Sequence, residues 1–407
     1  MQENIQTAIF PGEVTAEKFV DMVARAAFLC GLPLACWKLP GSTERHLIVD
    51  FSDDLPLARP DVENAAPGFL VAPFDNGEGK SWFVRAGLHL KYNHGEVAEK
   101  YLPLTWGGAE WQKKQEFNRV LQGLCRGSKQ NAGWHTPHKV VTSPKQAHYE
   151  SITRHAIEQI KAGHMQKVVL SRNKKIALPR GFAVPDCFRR LCGAYPGAFV
   201  SLVSLPGAGT WMGASPEMLI SIDRHRIFRT VSLAGTQALS KFASISEASW
   251  RQKEIEEQAM VSRYIINCFK KIRLREFEES GPRTIQAGSL LHLQTDFRVD
   301  MQAVNFSQLG SVMLELLHPT SAVCGMPRQT ALDFILKYEN YQRALYSGFL
   351  GPVNIEAETH VFVNLRCMQL MNNEAVLYAG AGITADSDPE SEFLETEMKM
   401  EVMRKYL

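Results

Sequence analysis

The chain lacks a Cys-x-x-Cys pair, and its eight cysteines, Cys30, Cys36, Cys125, Cys187, Cys192, Cys268, Cys324 and Cys367, form no close cluster with histidine. A thioredoxin-like motif and a zinc site are thereby disfavoured, so reduced, buried thiols are expected. No charge of one sign prevails: 45 Lys and Arg stand against 43 Asp and Glu, a net charge of +2. Bulk electrostatics therefore give no reason to expect a nucleic-acid or membrane partner, and a small-molecule substrate is expected instead. There is no phosphate-loop or dinucleotide fingerprint, no Ser/Gly-rich linker, no low-complexity tract and no repeat. Met1-Gln-Glu-Asn-Ile-Gln-Thr-Ala8 has no basic region followed by a long apolar core, which predicts a cytoplasmic protein. Residues 191–216 carry no charge, but Pro196, Pro206 and Pro216 interrupt them, so they read as a buried hairpin rather than a membrane span.

What is present is a globular composition, 45% hydrophobic and 22% charged over 407 residues, enough for one large domain or two to three smaller ones. The polar, turn-rich stretch 126–145 is read as a connection within a single domain, 1–407. Before it, a helix is expected near 16–30, with strands at 46–51 and 68–73. After it, a helix through Ile152, Ile157 and Ile160 leads to the β-branched run Lys167-Val-Val-Leu-Ser-Arg172. Residues 198–205 and 210–214 pair through Pro206-Gly-Ala-Gly209, and 220–222 pair with 227–231 about Asp223-Arg224-His225. Amphipathic helices are expected at 249–273 and 390–405, with strands at 357–370 and 375–378 between them. This is a mixed, mostly antiparallel α+β pattern rather than a βαβ repeat.

Several residues could carry chemistry. Glu217, in Gly213-Ala-Ser-Pro-Glu217, is the first charge after the apolar run; burial raises a carboxyl pKa, so such a group can donate a proton near neutral pH. Lys167 opens an apolar strand, where a lysine can serve as a base. Glu254 with Glu257, and Glu392 with Glu395 and Lys399, each share one face of a helix. Two such faces could converge on Mg²⁺, a hard ion that prefers oxygen and keeps much of its water. Arg366, expected within a strand, offers a planar fork for a carboxylate, and Ala379-Gly-Ala-Gly382 could present backbone N–H groups to the same anion. Taken singly, a turn residue, a snorkelling lysine, solvated helix faces and a structural salt bridge are the commoner readings.

Taken together and in this order, the segments resemble the chorismate-utilising enzymes, the family of isochorismate, salicylate, anthranilate and aminodeoxychorismate synthases. The resemblance covers about 146–407, the motif-bearing part, whereas 1–145 is divergent apart from Gly68-Phe-Leu-Val-Ala-Pro-Phe-Asp75. Its motifs are Lys167-Val-Val-Leu-Ser-Arg172, Gly213-Ala-Ser-Pro-Glu217, Leu233-Ala-Gly-Thr236, His292-Leu-Gln-Thr295, Leu317-His-Pro-Thr320, Gly325-Met-Pro327, Tyr378-Ala-Gly-Ala-Gly-Ile383 and Ser387-Asp-Pro-Glu390. It implies the anthranilate-synthase-like chorismate-binding fold, two packed, mainly antiparallel sheets flanked by helices, with the site in a cleft between them. It also implies that Lys167 activates water for attack on chorismate C2 and that Glu217 protonates the departing C4 hydroxyl. Glu257 and Glu395 would then be direct Mg²⁺ ligands, and Glu254 and Glu392 would act through metal-bound water. Arg366, Gly380 and Lys399 would hold substrate carboxylates, while His292 and the Gly235-Thr236 backbone would line the pocket.

Three positions bear on the subtype. Aminating relatives usually have Gln where Lys167 stands, aminodeoxychorismate synthases place a lysine where this chain has Ala234, and salicylate synthases tend to have Thr near Ala322. The resemblance thus implies an isochorismate synthase with no obligatory glutaminase partner; menaquinone formation is the expected pathway, which no residue of the chain specifies. Salicylate synthase, a siderophore-pathway isochorismate synthase and a catalytically silent chorismate-binding protein are the alternatives. Ser232 departs from the usual proline, the arginine usual after Thr236 is missing from Gln237-Ala-Leu-Ser240, and Glu254 and Gln258 replace the common Asp and His.

Overall fold

The computed structural model describes residues 15–55, 57–75, 77, 79–93, 96–100, 108–128, 133–137, 142–242, 244–287 and 290–407. The amino-terminal octapeptide considered above lies outside these. Among the described residues the strands form two sheets in which every neighbouring pair is antiparallel. The ten-stranded sheet runs Gly325–Met326, Lys167–Ala177, Glu374–Ile383, Cys367–Leu370, Gly209–Ser215, Phe199–Leu205, Leu34–Lys38, Arg45–Val49, Leu88–Asn93, Glu96–Lys100. The eight-stranded sheet runs Glu278–Ala287, Leu290–Asp300, Ile227–Ala238, Met218–Ile222, Thr359–Val363, Phe349–Val353, Gly68–Ala72, Trp82–Arg85. Fully buried runs such as Phe199–Leu205 and Gly209–Ser215 are apolar on both faces because one face meets the other sheet and the opposite face meets helices.

Aromatic rings fill the space between the sheets. Phe199 of one stacks on Phe362 of the other at 4.1 Å, and Trp37 lies 5.3 Å from Phe69. At roughly 25 cal/mol per Å² of buried apolar surface, and about 150–250 Å² per aromatic side chain, each of these rings contributes several kcal/mol before entropy is counted. Helices Ala16–Leu29, Gly108–Cys125 and Val184–Ala194 cover the outer face of the ten-stranded sheet. Helices Gln146–Lys161, Gln252–Lys271, Leu309–Leu317 and Arg328–Tyr338 share a second core with the eight-stranded sheet. The last helix, Pro389–Arg404, starts at the Asp388 cap, whose side chain accepts from the Ser391 N–H, and packs back along Glu374–Ile383.

The expected helices and both hairpins are present. Two expectations need correction. Residues 191–194 are the end of Val184–Ala194 rather than part of a hairpin. The run 357–370 is not one strand: Thr359–Val363 belongs to the eight-stranded sheet and Cys367–Leu370 to the ten-stranded one. Arg366 is therefore not strand-borne but lies in the crossover, in the left-handed region at φ 47°. Asn364 holds that crossover, its side-chain N–H donating to the Leu345 carbonyl at 2.9 Å and its own carbonyl accepting from Ser347 N–H at 3.0 Å.

All eight cysteines are free; Cys30 and Cys125 are half-buried and the other six are buried. Among the described residues no helix is long and apolar enough to cross a membrane.

Candidate active site

The site is built at the corner where the two sheets meet. The chain crosses from Gly209–Ser215 to Met218–Ile222 through Pro216-Glu217, and back from Thr359–Val363 to Cys367–Leu370 through Asn364-Leu-Arg366. These crossovers are neighbours, because the strands on each side pair with one another. They are also hydrogen-bonded together: Val363 N–H donates to the Glu217 carbonyl at 3.0 Å and Ala214 N–H to the Arg366 carbonyl at 3.0 Å. The Ser215 hydroxyl donates to the Val363 carbonyl at 2.5 Å. Sheet topology alone thus sets an acid beside a cation.

Burial pushes the Glu217 carboxyl up from its ordinary 4.5 to about 7, with the nearby charges of Lys167 and Arg366 working against the rise. Burial likewise lowers the Arg366 pKa, opposed by Tyr346, Glu395 and Glu217 in turn. Lys167 opens the strand Lys167–Ala177, is 7% exposed and places its Nζ 2.7 Å from Glu257 Oε1. Room for the lysine comes from Gly382 on the neighbouring strand, where a Cβ would stand 2.8 Å from Lys167 Cε.

On the last helix, Lys399 bridges 2.5 Å to Glu395 and donates 2.8 Å to the Gly380 carbonyl. Burial lowers its pKa, with Glu395 restoring part of it. Gly380 pairs with Ser171, and a Cβ there would meet the Leu170 carbonyl and the Tyr346 hydroxyl at 2.9 Å each, so only glycine fits. His292 donates from Nδ1 to the Gly235 carbonyl at 3.0 Å, and burial lowers its pKa, which favours the neutral ring. Gly235 takes φ +67° at the bulge between Ala234 and Thr236, with Trp250 and Glu254 packed where a side chain would go. Thr236 follows it in the strand, opposite His292.

Charges of alternating sign thus run through the corner: Glu257, Lys167, Glu217, Arg366, Glu395, Lys399. Glu392 and His292 lie within electrostatic reach of Lys399. Glu254 also serves as a cap, its carboxylate accepting from Arg251 N–H at 2.9 Å. Among the described residues no three acidic, histidine or cysteine side chains form a cage for a metal ion.

Some residues that shape the site were not anticipated. For Gly382, expected only as part of an anion-binding run, the signal is its spacing from Gly380, since residues two apart in a strand share a face. The departures Ser232 and Gln258 turn out to be partners: Gln258 Nε2 donates to the Ser232 carbonyl at 3.2 Å and Thr295 Oγ1 at 3.0 Å, and Ser262 donates to the Ser232 hydroxyl at 3.1 Å. Together they tie the helix of Glu254 and Glu257 to the strand of Gly235. Beneath Ser171 lies the buried pair Glu339–Arg343, whose guanidinium also donates to the Val323 and Val169 carbonyls. A second clasp, Arg172 against Phe393, Thr396 and Glu397, holds the last helix to the first site strand.

A corner that sets a protonatable carboxyl and a lysine among clustered cations suits a small anionic ligand. Residues 108–407 match the family model described as chorismate binding enzyme, and the chain belongs to that family. It is 29% identical to isochorismate synthase EntC of Escherichia coli (strain K12), over 77% of this chain and 78% of that one. It is 28% identical to isochorismate synthase DhbC of Bacillus subtilis, over 82% and 88%. The vibriobactin-specific isochorismate synthase of Vibrio cholerae is 28% identical over 65% and 68%. The fold is shared with MenF, the menaquinone-specific isochorismate synthase from Escherichia coli, at a TM-score of 0.73, 20% identity and coverage of 94% and 91%. It is shared also with anthranilate synthase component I from Streptococcus pneumoniae, at 0.65, 20%, and 86% and 82%.

Proposed function

We propose that this protein is an isochorismate synthase, which adds water at C2 of chorismate and releases the C4 hydroxyl. The observation that carries this reading is the pair Lys167 and Glu217, an amine and a protonatable carboxyl within electrostatic reach of each other in one half-buried corner. Lys167 takes a proton from water as its oxygen bonds to C2, the ring double bonds shift, and the C4–oxygen bond breaks. Glu217 gives its proton to the departing hydroxyl, which leaves as water, so atoms balance and the net change is an isomerisation. A carboxyl poised near 7 is matched to that task at neutral pH.

Arg366, Lys399 and the Gly380 backbone hold the substrate carboxylates, and neutral His292 with Gly235-Thr236 borders the ring. Glu257 and Glu395 are the residues that would hold Mg²⁺, with Glu254 and Glu392 acting through its water. Two half-buried carboxylates, each now balanced by a lysine, fit a hydrated hard ion that takes one or two protein carboxylates and completes its shell with water and substrate oxygen. When bound, the ion would neutralise a substrate carboxylate and orient the ring.

The test is chromatography of what purified protein makes from chorismate with Mg²⁺. Isochorismate as main product is expected; salicylate with pyruvate would move the reading to salicylate synthase, and binding without turnover to a silent chorismate-binding protein. No ammonia or glutaminase partner is required. Chelation should abolish turnover, and Mg²⁺ should both restore it and raise the thermal midpoint. We place the product in menaquinone formation, in the cytoplasm; a deletion strain that keeps its menaquinone but loses a catechol siderophore would overturn that placement.

A further inference from the structure

A general acid needs something to aim it, and among the described residues Glu217 has no such partner. Its hydrogen bonds are made by the main chain, the N–H to Ser215 Oγ at 3.3 Å and the carbonyl from Val363 N–H. Its side chain makes none with the described residues. Glu217 lines a cavity of about 20 Å³, bordered by Val261, Tyr264 and Ile265 of the helix Gln252–Lys271 and by Leu317, Thr320 and Ala322. A volume of about 10–15 Å³ on this measure suffices for one water, which needs two to four polar partners.

The lining is apolar apart from Glu217, Thr230, Tyr264 and Thr320. Thr230 donates to the Leu219 carbonyl at 2.7 Å and Tyr264 to the Leu316 carbonyl at 2.9 Å, so each hydroxyl keeps only acceptor capacity. Thr320 is different: it is 8% exposed and its Oγ1 is buried with no hydrogen-bond partner. Leaving a buried hydroxyl unpaired is unfavourable, and a bridging water removes that penalty.

We propose that Thr320 is a positioning residue for Glu217, acting through one water bound in this cavity and shared between hydroxyl and carboxyl. This rests on the reading of Glu217 as the acid. The water fixes the carboxyl rotamer so that the oxygen carrying the proton faces the ring, and Thr230 or Tyr264 supplies its remaining acceptor.

The experiment compares Thr320→Val, which keeps the shape, with Thr320→Ser, which keeps the hydroxyl, in steady-state isochorismate formation from chorismate. Thr320→Val should lower kcat about 5- to 30-fold with KM within twofold, and Thr320→Ser should restore kcat to within threefold of the parent. Where valine lowers the thermal midpoint by more than 5 °C, Thr320→Ala replaces it as the hydroxyl deletion. Normal kcat in the deletion variant, or an equal loss in the serine variant, overturns the proposal while isochorismate formation by the parent stands. Failure of the parent to form isochorismate overturns both readings, whereas normal turnover by Glu217→Gln overturns the acid assignment and this proposal with it while isochorismate formation stands.

Discussion

Replacing Glu217 by Gln should make the protein more stable at alkaline pH while destroying its activity. Burial raises the folded pKa from 4.5 to about 7, so the carboxyl binds its proton more tightly in the native state than in the unfolded one. The stability this contributes is complete below pH 4.5 and is lost as the pH rises toward 7, because the unfolded chain ionises freely and the native one resists. At about 1.4 kcal/mol per pH unit, the loss across that window is about 3 kcal/mol. Discounted for the partial exposure of the side chain, about 2 kcal/mol remains. Unfolding entropy near 2.1 cal/mol/K per residue gives roughly 0.85 kcal/mol/K for a chain of this length, so the expected shift in midpoint is about 2–3 °C. Thermal unfolding of parent and Glu217→Gln at pH 5 and pH 8 tests this: the variant should gain on the parent between the two pH values and turn over at least 100-fold slower. Midpoints that track each other at both pH values would refute the claim that a desolvated carboxyl ionises here.

Lys167→Ala should lower kcat by about 10²- to 10⁴-fold in a product assay while circular dichroism stays unchanged. Gly382→Ala puts a methyl 2.8 Å from Lys167 Cε and should lower kcat at least tenfold with a midpoint within 2 °C of the parent, because the flexible lysine moves rather than the strand. Arg366→Lys replaces a planar fork by a point charge and should raise KM for chorismate roughly 10- to 100-fold, read from initial rates. Glu339→Gln strands a guanidinium that is 2% exposed, at about 3–5 kcal/mol, and should lower the thermal midpoint by roughly 4–6 °C.

Local pattern was enough for elements with a plain signature, such as the uncharged, fully buried hairpin Phe199–Leu205 with Gly209–Ser215 and the amphipathic helix Gln252–Lys271. It failed where tertiary contacts decide. Helix Gly108–Cys125 turns only Phe117, Leu121 and Leu124 inward, too thin a stripe to read. The crossover before Arg366 interrupts no hydropathy, since Val361 to Leu365 stay apolar around Asn364, and the partners that bend the chain, Leu345 and Ser347, are remote in sequence. The resemblance names candidate site residues, but the pairing of Lys167 with Glu257, 90 positions apart, needed the fold. Ser232 and Gln258 are separate departures in the sequence, and only the fold sets the Gln258 side chain against the Ser232 carbonyl.

Glu217 and Arg366 both hang from the joint between two walls, so their spacing is only as constant as the angle between those walls. A change in that angle would shift the two side chains relative to each other, and a misplacement of about 1 Å is enough to lose about two orders of magnitude in rate. The interleaved rings of Phe199, Phe362, Trp37 and Phe69 act as a brace against that change. Thinning the brace far from any reacting atom, for instance with Phe362→Leu, would loosen the catalytic geometry before it loosened the fold.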